Sequence, residues 1–176
     1  THPTNFPSSP HFSGLVGATH TEAVSLWSVG FKSTPGIESM AETGSKSIFE
    51  SEISATENVE YYLSGPGVGS SPSSVSFDFS ISEEYPYVTL VSMLAPSPDW
   101  FVGVSKLPLF IDGAWVRSKT VTLNVYDAGS DNGKIFDSNN LDTSPKEVIR
   151  LLSSAASDTD FSSGQPDVGT FYFEKL

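Results

Sequence analysis

Short segments with the two-residue periodicity of β-strands, separated by turn-forming residues, run through most of this sequence. In residues 75–81, apolar side chains alternate with serine and aspartate, so a strand here would have one apolar and one polar face. Further strand-like segments are residues 21–31, 59–63, 87–94, 100–104, 120–126 and 170–173. Many short strands of this kind predict an all-β fold, namely an antiparallel β-sandwich.

Three short stretches have the spacing of helices instead. Residues 35–44 carry apolar side chains at helical spacing between a threonine cap and a glycine stop. Residues 47–53 are predicted to form a second, acidic helical turn. Ser144, Pro145 and Glu147 have the order of a capping box before an apolar run. The sequence therefore predicts two or three short helices beside the strands.

The length of 176 residues is that of one ordinary domain, and 38% hydrophobic residues supply one packed core. We therefore interpret residues 1–176 as a single domain. Residues 1–12 contain three prolines and no periodicity, which predicts an extended N-terminal arm. Residues 64–74 are rich in glycine, proline and serine. They form either a mobile binding loop or a surface connection between strands, and the second interpretation is favoured.

Acidic residues dominate the charge of the chain. Asp and Glu number 21 against 9 Lys and Arg, and the formal net charge of -12 disfavours contact with nucleic acid or anionic lipid. The sequence has no cysteine, which excludes disulfides and thiolate metal sites. No apolar stretch approaches the roughly 18 to 20 residues of a membrane span. This acidic, lysine-poor and hydroxyl-rich composition favours an extracellular protein, either secreted or at the cell surface.

The familiar catalytic and cofactor-binding motifs do not occur in the sequence. There is no serine in the context of a nucleophile elbow and no phosphate-binding glycine loop. His2, His11 and His20 lack the i, i+4 spacing of a zinc helix and are interpreted as structural or exposed. The neighbouring Glu83 and Glu84 are interpreted as a solvated edge rather than a glycosidase pair. These patterns predict a protein that is not an enzyme.

Two turns rich in oxygen ligands follow strand-like segments. Asp99 lies between a Pro-Ser-Pro corner and Trp100, and residues 126–133 contain Asp127 and Asp131. Ca²⁺ takes about six to eight oxygen ligands, which such turns provide without thiols or imidazoles. Alternatively, the aspartates of residues 126–133 bond their own backbone in Asx-type turns. Spacing alone leaves both interpretations open, because the motif lacks the EF-hand frame.

Four blocks, in order along the chain, resemble a known family. They are residues 10–20 (PHFSGLVGATH), 41–44 (AETG), 93–104 (MLAPSPDWFVGV) and 126–131 (YDAGSD). Together they resemble the spondin domain, the amino-terminal module of F-spondin and mindin. The resemblance implies a C2-like β-sandwich of extracellular matrix or adhesion proteins, with a Ca²⁺ held by acidic residues at one end.

The same resemblance implies which residues hold the ion. Asp99 and Asp127 stand at the positions of calcium ligands in the family's motifs. A third acidic ligand in the family comes from the strand before the P-S-P-D-W run, which implies Asp78 here, with Ser80 two residues further on. Asp131 is an additional candidate. The implied cofactor is therefore Ca²⁺ bound by a set of aspartates.

The sequence also departs from the animal members of the family, which usually carry cysteines. One of these cysteines precedes a glycine-tryptophan stretch, where this chain reads FIDGAW at residues 110–115. The difference fits a divergent or bacterial secreted relative. It gives no support for integrin recognition, which is known for mindin-like members.

Sequence and resemblance together predict a non-enzymatic, extracellular calcium-binding module for adhesion or ligand binding, with a protein or a glycan as its partner. The alternative is a calcium-dependent, lectin-like domain in which Trp100 or Trp115 stacks on a sugar beside the ion. Core packing is the competing interpretation of Trp100, since a strand follows it. Neither nucleic-acid binding nor membrane insertion is expected.

Overall fold

The computed structural model describes residues 6–152 and 168–176. Within these residues the chain forms two α-helices and eleven β-strands. Their order is β1 (His11–Phe12), β2 (Val16–His20), α1 (Pro35–Thr43), α2 (Ser47–Ser54), β3 (Val59–Ser64), β4 (Tyr87–Ala95), β5 (Trp100–Pro108), β6 (Phe110–Ile111), β7 (Ala114–Trp115), β8 (Ser118–Thr122), β9 (Val125–Asp127), β10 (Arg150–Leu151) and β11 (Thr170–Glu174).

Strand β4 lies at the centre of the main antiparallel sheet, whose order is β10-β9-β5-β4-β2-β3, and β1 pairs with the end of β4. The side chains of β4 alternate between two buried faces. Val91 and Met93 pack with α1 and α2, whereas Val88 and Leu90 pack with residues of β8 and β11, which form a separate ladder. The predicted antiparallel, sandwich-type all-β fold with short helices is confirmed.

Two glycines allow the neighbours of β4 to approach it closely. A Cβ atom on Gly17 of β2 would lie 1.9 Å from the carbonyl oxygen of Thr89. A Cβ atom on Gly103 of β5 would lie 2.4 Å from the carbonyl oxygen of Leu90. Any side chain at either position would therefore push its strand away from the centre of the sheet.

Both helices lie where the sequence predicts the first two. In α1, the Thr34 hydroxyl accepts a hydrogen bond from the backbone N–H of Ile37 (3.2 Å), and Gly44 ends the helix with a φ of 70°. In α2, Phe49 and Ile53 are buried against the sheet. Neither helix, nor any other in the described part of the chain, is long and apolar enough to cross a membrane.

The prediction of a third helix after Ser144 is wrong. The chain here runs along the edge of the main sheet, where Val148 bridges Lys32 and β10 pairs with β9. The extended backbone also lets Ile149 and Leu152 reach two different hydrophobic clusters. Tertiary pairing therefore overrides the local helix signal.

Three predicted strands take a different form. Residues 75–81 join no ladder among the described residues, although their aromatic side chains pack on the second face of β4 as the alternation predicts. Residues 21–31 form turns, with Leu26 and Trp27 buried. Residues 120–126 are divided between β8 and β9, which belong to different ladders. The other predicted strands are present with small shifts in their ends.

The N-terminal segment is attached to the sheet at its end. Residues 1–5 of the predicted arm lie outside the described residues, and the last two residues of the arm form β1. Residues 64–74 connect two elements of the fold, and they are held to this segment by a bridge between Phe12 and Val68. The backbone N–H of Ser71 also donates to the carbonyl of Pro10 (2.9 Å).

A buried histidine connects the central strands. His20 is fully buried, and its Nδ1 lies 2.8 Å from the carbonyl oxygen of Thr21, which can only accept a hydrogen bond. In the neutral ring the Nε2 atom accepts from the Thr89 hydroxyl (2.7 Å), which in turn accepts from the backbone N–H of Lys106 (3.1 Å). Burial lowers the pKa of His20, the nearby Lys106 charge adds to this effect, and the bond to Thr21 opposes it. Burial thus favours the neutral imidazole.

We expect His20 to make the fold sensitive to acid. Because the pKa of His20 is lowered from 6.5, the unfolded chain takes up a proton first as the pH falls below this value, and stability decreases. The difference in free energy of unfolding between wild type and His20→Gln should therefore shrink between pH 7.5 and pH 5 in urea denaturation. An NMR titration of the ring should show a pKa for His20 that is below 6.5. A difference that is constant with pH would contradict this expectation.

Candidate functional site

Two buried carboxylates lie side by side where β5 meets β9. Asp99 immediately precedes β5, and Asp127 is the last residue of β9. The antiparallel register places Trp100 opposite Asp127, and the backbone N–H of Ala128 donates to the carbonyl of Asp99 (3.1 Å). The Asp99 residue is 0% exposed and Asp127 is 3% exposed. The pairing of two strands therefore brings together the two turns that the sequence singles out.

The two oxygens of Asp99 have different surroundings. Oδ2 accepts hydrogen bonds from the backbone N–H of Ser130 (2.8 Å), from the Ser130 hydroxyl (3.2 Å) and from the backbone N–H of Asp131 (3.1 Å). Oδ1 is buried and has no hydrogen-bond partner. A buried carboxylate oxygen without a donor is costly, so this atom requires a physical explanation.

The surroundings of Asp99 also alter its ionisation. Burial raises the pKa of Asp99 to about 6, and the negative charge of Asp127 contributes in the same direction. The hydrogen bonds from Ser130 and Asp131 oppose this shift. The ionised form of this carboxylate is therefore only partly compensated by the donors around it.

Asp127 is held by a turn and by an ion pair. Its Oδ1 accepts from the backbone N–H of Gly129 (2.8 Å), and Gly129 has a φ of 75°, which favours glycine. Its Oδ2 accepts from Nη2 of Arg150 (2.6 Å). Burial raises the pKa of Asp127, and the Arg150 charge opposes that change. Both oxygens of this carboxylate therefore have donors.

Asp131 organises the loop that follows. Its Oδ1 accepts from the backbone N–H of Gly133 (2.6 Å), and its Oδ2 accepts from the backbone N–H of Leu141 (2.9 Å). The residue is buried, at 4% exposure. Asp127 and Asp131 thus both form the Asx-type turns that the sequence offers as the alternative to metal binding. These bonds occupy one acceptor position on each oxygen of Asp131.

Glu42, in the last turn of α1, is a further acidic residue at this place, and reasoning from the sequence missed it. Burial raises the pKa of Glu42, a hydrogen bond with the Ser130 side chain opposes this, and the charges of Glu38, Asp99 and Asp131 raise it further. The Ser130 side chain thus lies close to both carboxylates, and its single hydroxyl proton is directed to Oδ2 of Asp99 (3.2 Å). The available signal was its place in the block AETG at residues 41–44.

Asp78 lies in a different environment from the other predicted ligands. Its side chain is exposed, and the adjacent Phe77 and Phe79 pack on the second face of β4. Among the described residues, no hydrogen bond or ion pair joins Asp78 to Asp99 or Asp127. Ser80, the predicted alternative, is also exposed. The structure therefore brings Asp99, Asp127 and Asp131 together and leaves Asp78 apart.

The donors at this site are all oxygens, which suits a hard cation rather than zinc or copper. In residues 6–152 and 168–176, however, no three acidic or histidine side chains converge on one point as a complete metal site. The unpaired Oδ1 of Asp99 is the atom that most clearly fits a bound cation. Any cation here would need further oxygen ligands from Glu42, backbone carbonyls or water.

Comparison with known proteins agrees with the resemblance seen in the sequence. The Spondin_N family model matches residues 1–168. Spondin-2 of Homo sapiens is 31% identical over 169 residues, which cover 94% of this chain and 49% of that protein. Spondin-1 of Gallus gallus is 33% identical over 166 residues, which cover 88% of this chain and 20% of that protein. The chain thus spans about half the length of Spondin-2 and about a fifth of Spondin-1.

We expect Asp99 to destabilise the metal-free protein as the pH rises. Its pKa is raised from 3.8 to about 6, so its contribution to stability is fully present below 3.8 and is lost as the pH rises through 6. The free energy of unfolding falls by about 3 kcal/mol as a result. In EGTA, Asp99→Asn should therefore gain stability relative to wild type between pH 4 and pH 7, as measured by urea denaturation. A relative stability that does not change over this interval would contradict the assignment.

Proposed function

Because the chain belongs to the Spondin_N family, we propose that it is a calcium-binding adhesion or ligand-binding module of an extracellular protein, without catalytic activity. The proposal rests on one observation above all, the buried Oδ1 of Asp99 that lacks a partner. The acidic, cysteine-free composition and the family of the chain support the extracellular setting. The partner would be an extracellular protein or glycan.

A bound cation accounts for the cost of burying Asp99 beside Asp127. Two neighbouring carboxylates with raised pKa values repel each other, and Arg150 reaches only one of them. A divalent ion beside Oδ1 of Asp99 would supply the missing partner and offset the repulsion. Ca²⁺ suits an all-oxygen site with irregular geometry better than Mg²⁺, which demands a near-octahedral arrangement.

We assign Asp99, Asp127 and Glu42 as the acidic ligands. Glu42 takes the third position in place of Asp78, since its carboxylate already faces Ser130 and is affected by the charge of Asp99. Asp131 remains a candidate through the second lone pairs of its oxygens. Backbone carbonyls and water would complete the coordination to about six to eight oxygens.

Calcium at this place would connect three parts of the fold. Glu42 lies at the end of α1, Asp99 at the start of β5, and Asp127 at the end of β9. An ion shared by these residues would fix the surface formed by the turns at this end of the sheet. The ion would thus have a structural role, shaping a binding surface rather than activating a substrate.

A protein ligand is favoured over the carbohydrate ligand of the lectin-like alternative. Trp100 is 0% exposed and packs edge-to-face on Phe136, so its ring is not available to stack on a sugar. Trp115 is partly covered by Phe110 in the hairpin of β6 and β7. Near the carboxylates, by contrast, Phe31 is 69% exposed in a segment bonded to Ile149. A single exposed apolar side chain is ordinary on a protein surface, so the burial of Trp100 is the observation that disfavours the lectin-like alternative.

Calcium should raise the melting temperature of the isolated protein. A ligand present at 100 times its dissociation constant adds about 2.7 kcal/mol to the free energy of unfolding. This corresponds to an increase in melting temperature of roughly 5–10 °C for a chain of this size. We expect this shift for wild type on going from EGTA to millimolar CaCl₂. Asp127→Asn and Glu42→Gln should lose most of it, because each removes a proposed ligand. Differential scanning calorimetry provides the measurement.

Two further variants test the assignment of ligands. Glu57→Gln removes an exposed carboxylate between α2 and β3 and should keep the full calcium response. Asp78→Asn should also keep it, and a lost response in this variant would move the third ligand from Glu42 to Asp78. Equal melting temperatures of wild type in CaCl₂ and in EGTA would rule out the calcium site.

A further inference from the structure

The partner of Asp127 is one of only two arginines in the chain, Arg117 being the other. Arg150 lies in β10, directly opposite Asp127 in the antiparallel ladder. Its Nη2 donates to Oδ2 of Asp127 at 2.6 Å, a short, charge-assisted hydrogen bond. Asp127 is nearly buried, with a side chain that is 4% exposed, whereas the side chain of Arg150 is 45% exposed. The guanidinium thus reaches a buried carboxylate from the surface.

This ion pair compensates the negative charge of Asp127, as a bound cation would also do. The charges of Glu147 and Asp131 raise the pKa of Asp127 along with burial, and Arg150 is the opposing charge. A second ion pair, between Lys146 and Glu38, does not reach Asp99 or Asp127. Arg150 is therefore a positive charge that compensates Asp127, but not Asp99, in the metal-free protein.

We propose that Arg150 is an internal counter-ion that competes with calcium for Asp127 and so sets the affinity of the site. This inference rests on the proposed function, since it needs a cation beside Asp99 and Asp127. A cation that uses Oδ2 of Asp127 must displace the guanidinium or share the oxygen with it. Either way the ion meets the repulsion of a positive charge at hydrogen-bond distance from a ligand oxygen.

The partial exposure of Arg150 makes such an exchange feasible. A side chain that is 45% exposed can turn into solvent and keep its charge hydrated, whereas the buried Asp127 has no such freedom. The guanidinium therefore loses little when it is displaced. The carboxylate is compensated in both states, by Arg150 without calcium and by the ion when calcium is bound. The protein would then remain folded in low calcium, at the expense of weaker binding.

The test compares calcium affinities of matched variants by isothermal titration calorimetry. Arg150→Gln should bind Ca²⁺ at least tenfold more tightly than wild type, a gain of about 1.4 kcal/mol. Arg117→Gln removes the same charge from an exposed position and should leave the affinity unchanged. In EGTA, Arg150→Gln should melt at a lower temperature than wild type, and its shift on adding CaCl₂ should be larger.

A conservative variant keeps the test valid if Arg150→Gln does not fold without calcium. Arg150→Lys retains the charge but lacks the guanidinium donor that bonds Asp127, so its dissociation constant should lie between those of wild type and Arg150→Gln. An affinity in Arg150→Gln or Arg150→Lys that is equal to or weaker than that of a calcium-binding wild type would overturn the role of Arg150 and leave the proposed function intact. Absence of calcium binding in wild type and in both variants would overturn the two together.

Discussion

Strand β5 pairs with β4 on one side and with β9 on the other, and this double pairing positions the two central carboxylates of the candidate site. The pairing with β4 depends on Gly103, where a side chain would collide with the backbone of Leu90. The pairing with β9 then sets Trp100 opposite Asp127. Because Asp99 precedes Trp100 on the chain, the ladder itself fixes two carboxylates in one buried place. Backbone geometry, and not attraction between the side chains, brings them together.

Burying two carboxylates side by side leaves the fold with an electrostatic cost, which it can lower in three ways. The backbone and hydroxyl donors of Ser130 and Asp131 stabilise one oxygen of Asp99, and Arg150 stabilises one oxygen of Asp127. Protonation of Asp99 is the second way, which a pKa of about 6 makes accessible in mild acid. A bound cation would be the third. These ways exclude one another in part, since a proton and a metal ion would compete for Asp99, and a guanidinium and a metal ion would compete for Asp127.

The strands that the sequence predicted well are those in which alternation coincides with burial in the main sheet, such as residues 87–94 and 100–104. Residues 75–81 have the clearest alternation, but a period of two specifies only which side chains face the core and not whether the backbone finds a ladder partner. The helix prediction for the segment after Ser144 failed for a related reason. Its capping signal depends on neighbouring residues, whereas the pairing of β10 with β9 joins residues that are distant along the chain.

The site shows the same limit of sequence-based reasoning. Asp99 and Asp127 were predictable because each lies in a distinctive turn at the end of a strand. Glu42 lies 57 residues before Asp99 along the chain, on a helix, and only the packing of α1 against the sheet brings it near. Asp78 was selected by its position in residues 75–81, which form no strand in the structure, so the strand register used to place it is absent.

Glu42 is also in an unfavourable position by the rules that govern helices. A carboxylate is stabilised at the N-terminus of a helix, and Glu52 of α2 fits that rule, since it accepts from the backbone N–H of Gly36 in the first turn of α1 (2.7 Å). Glu42 lies in the last turn of α1, where the helix dipole opposes a negative charge and where no basic residue compensates it. Asp99 has an oxygen without a donor, and burial raises the pKa of Asp127 despite its arginine. Three separate departures from local stability thus lie near one another at this end of the main sheet, and a positive ligand among them would lower the electrostatic cost of each.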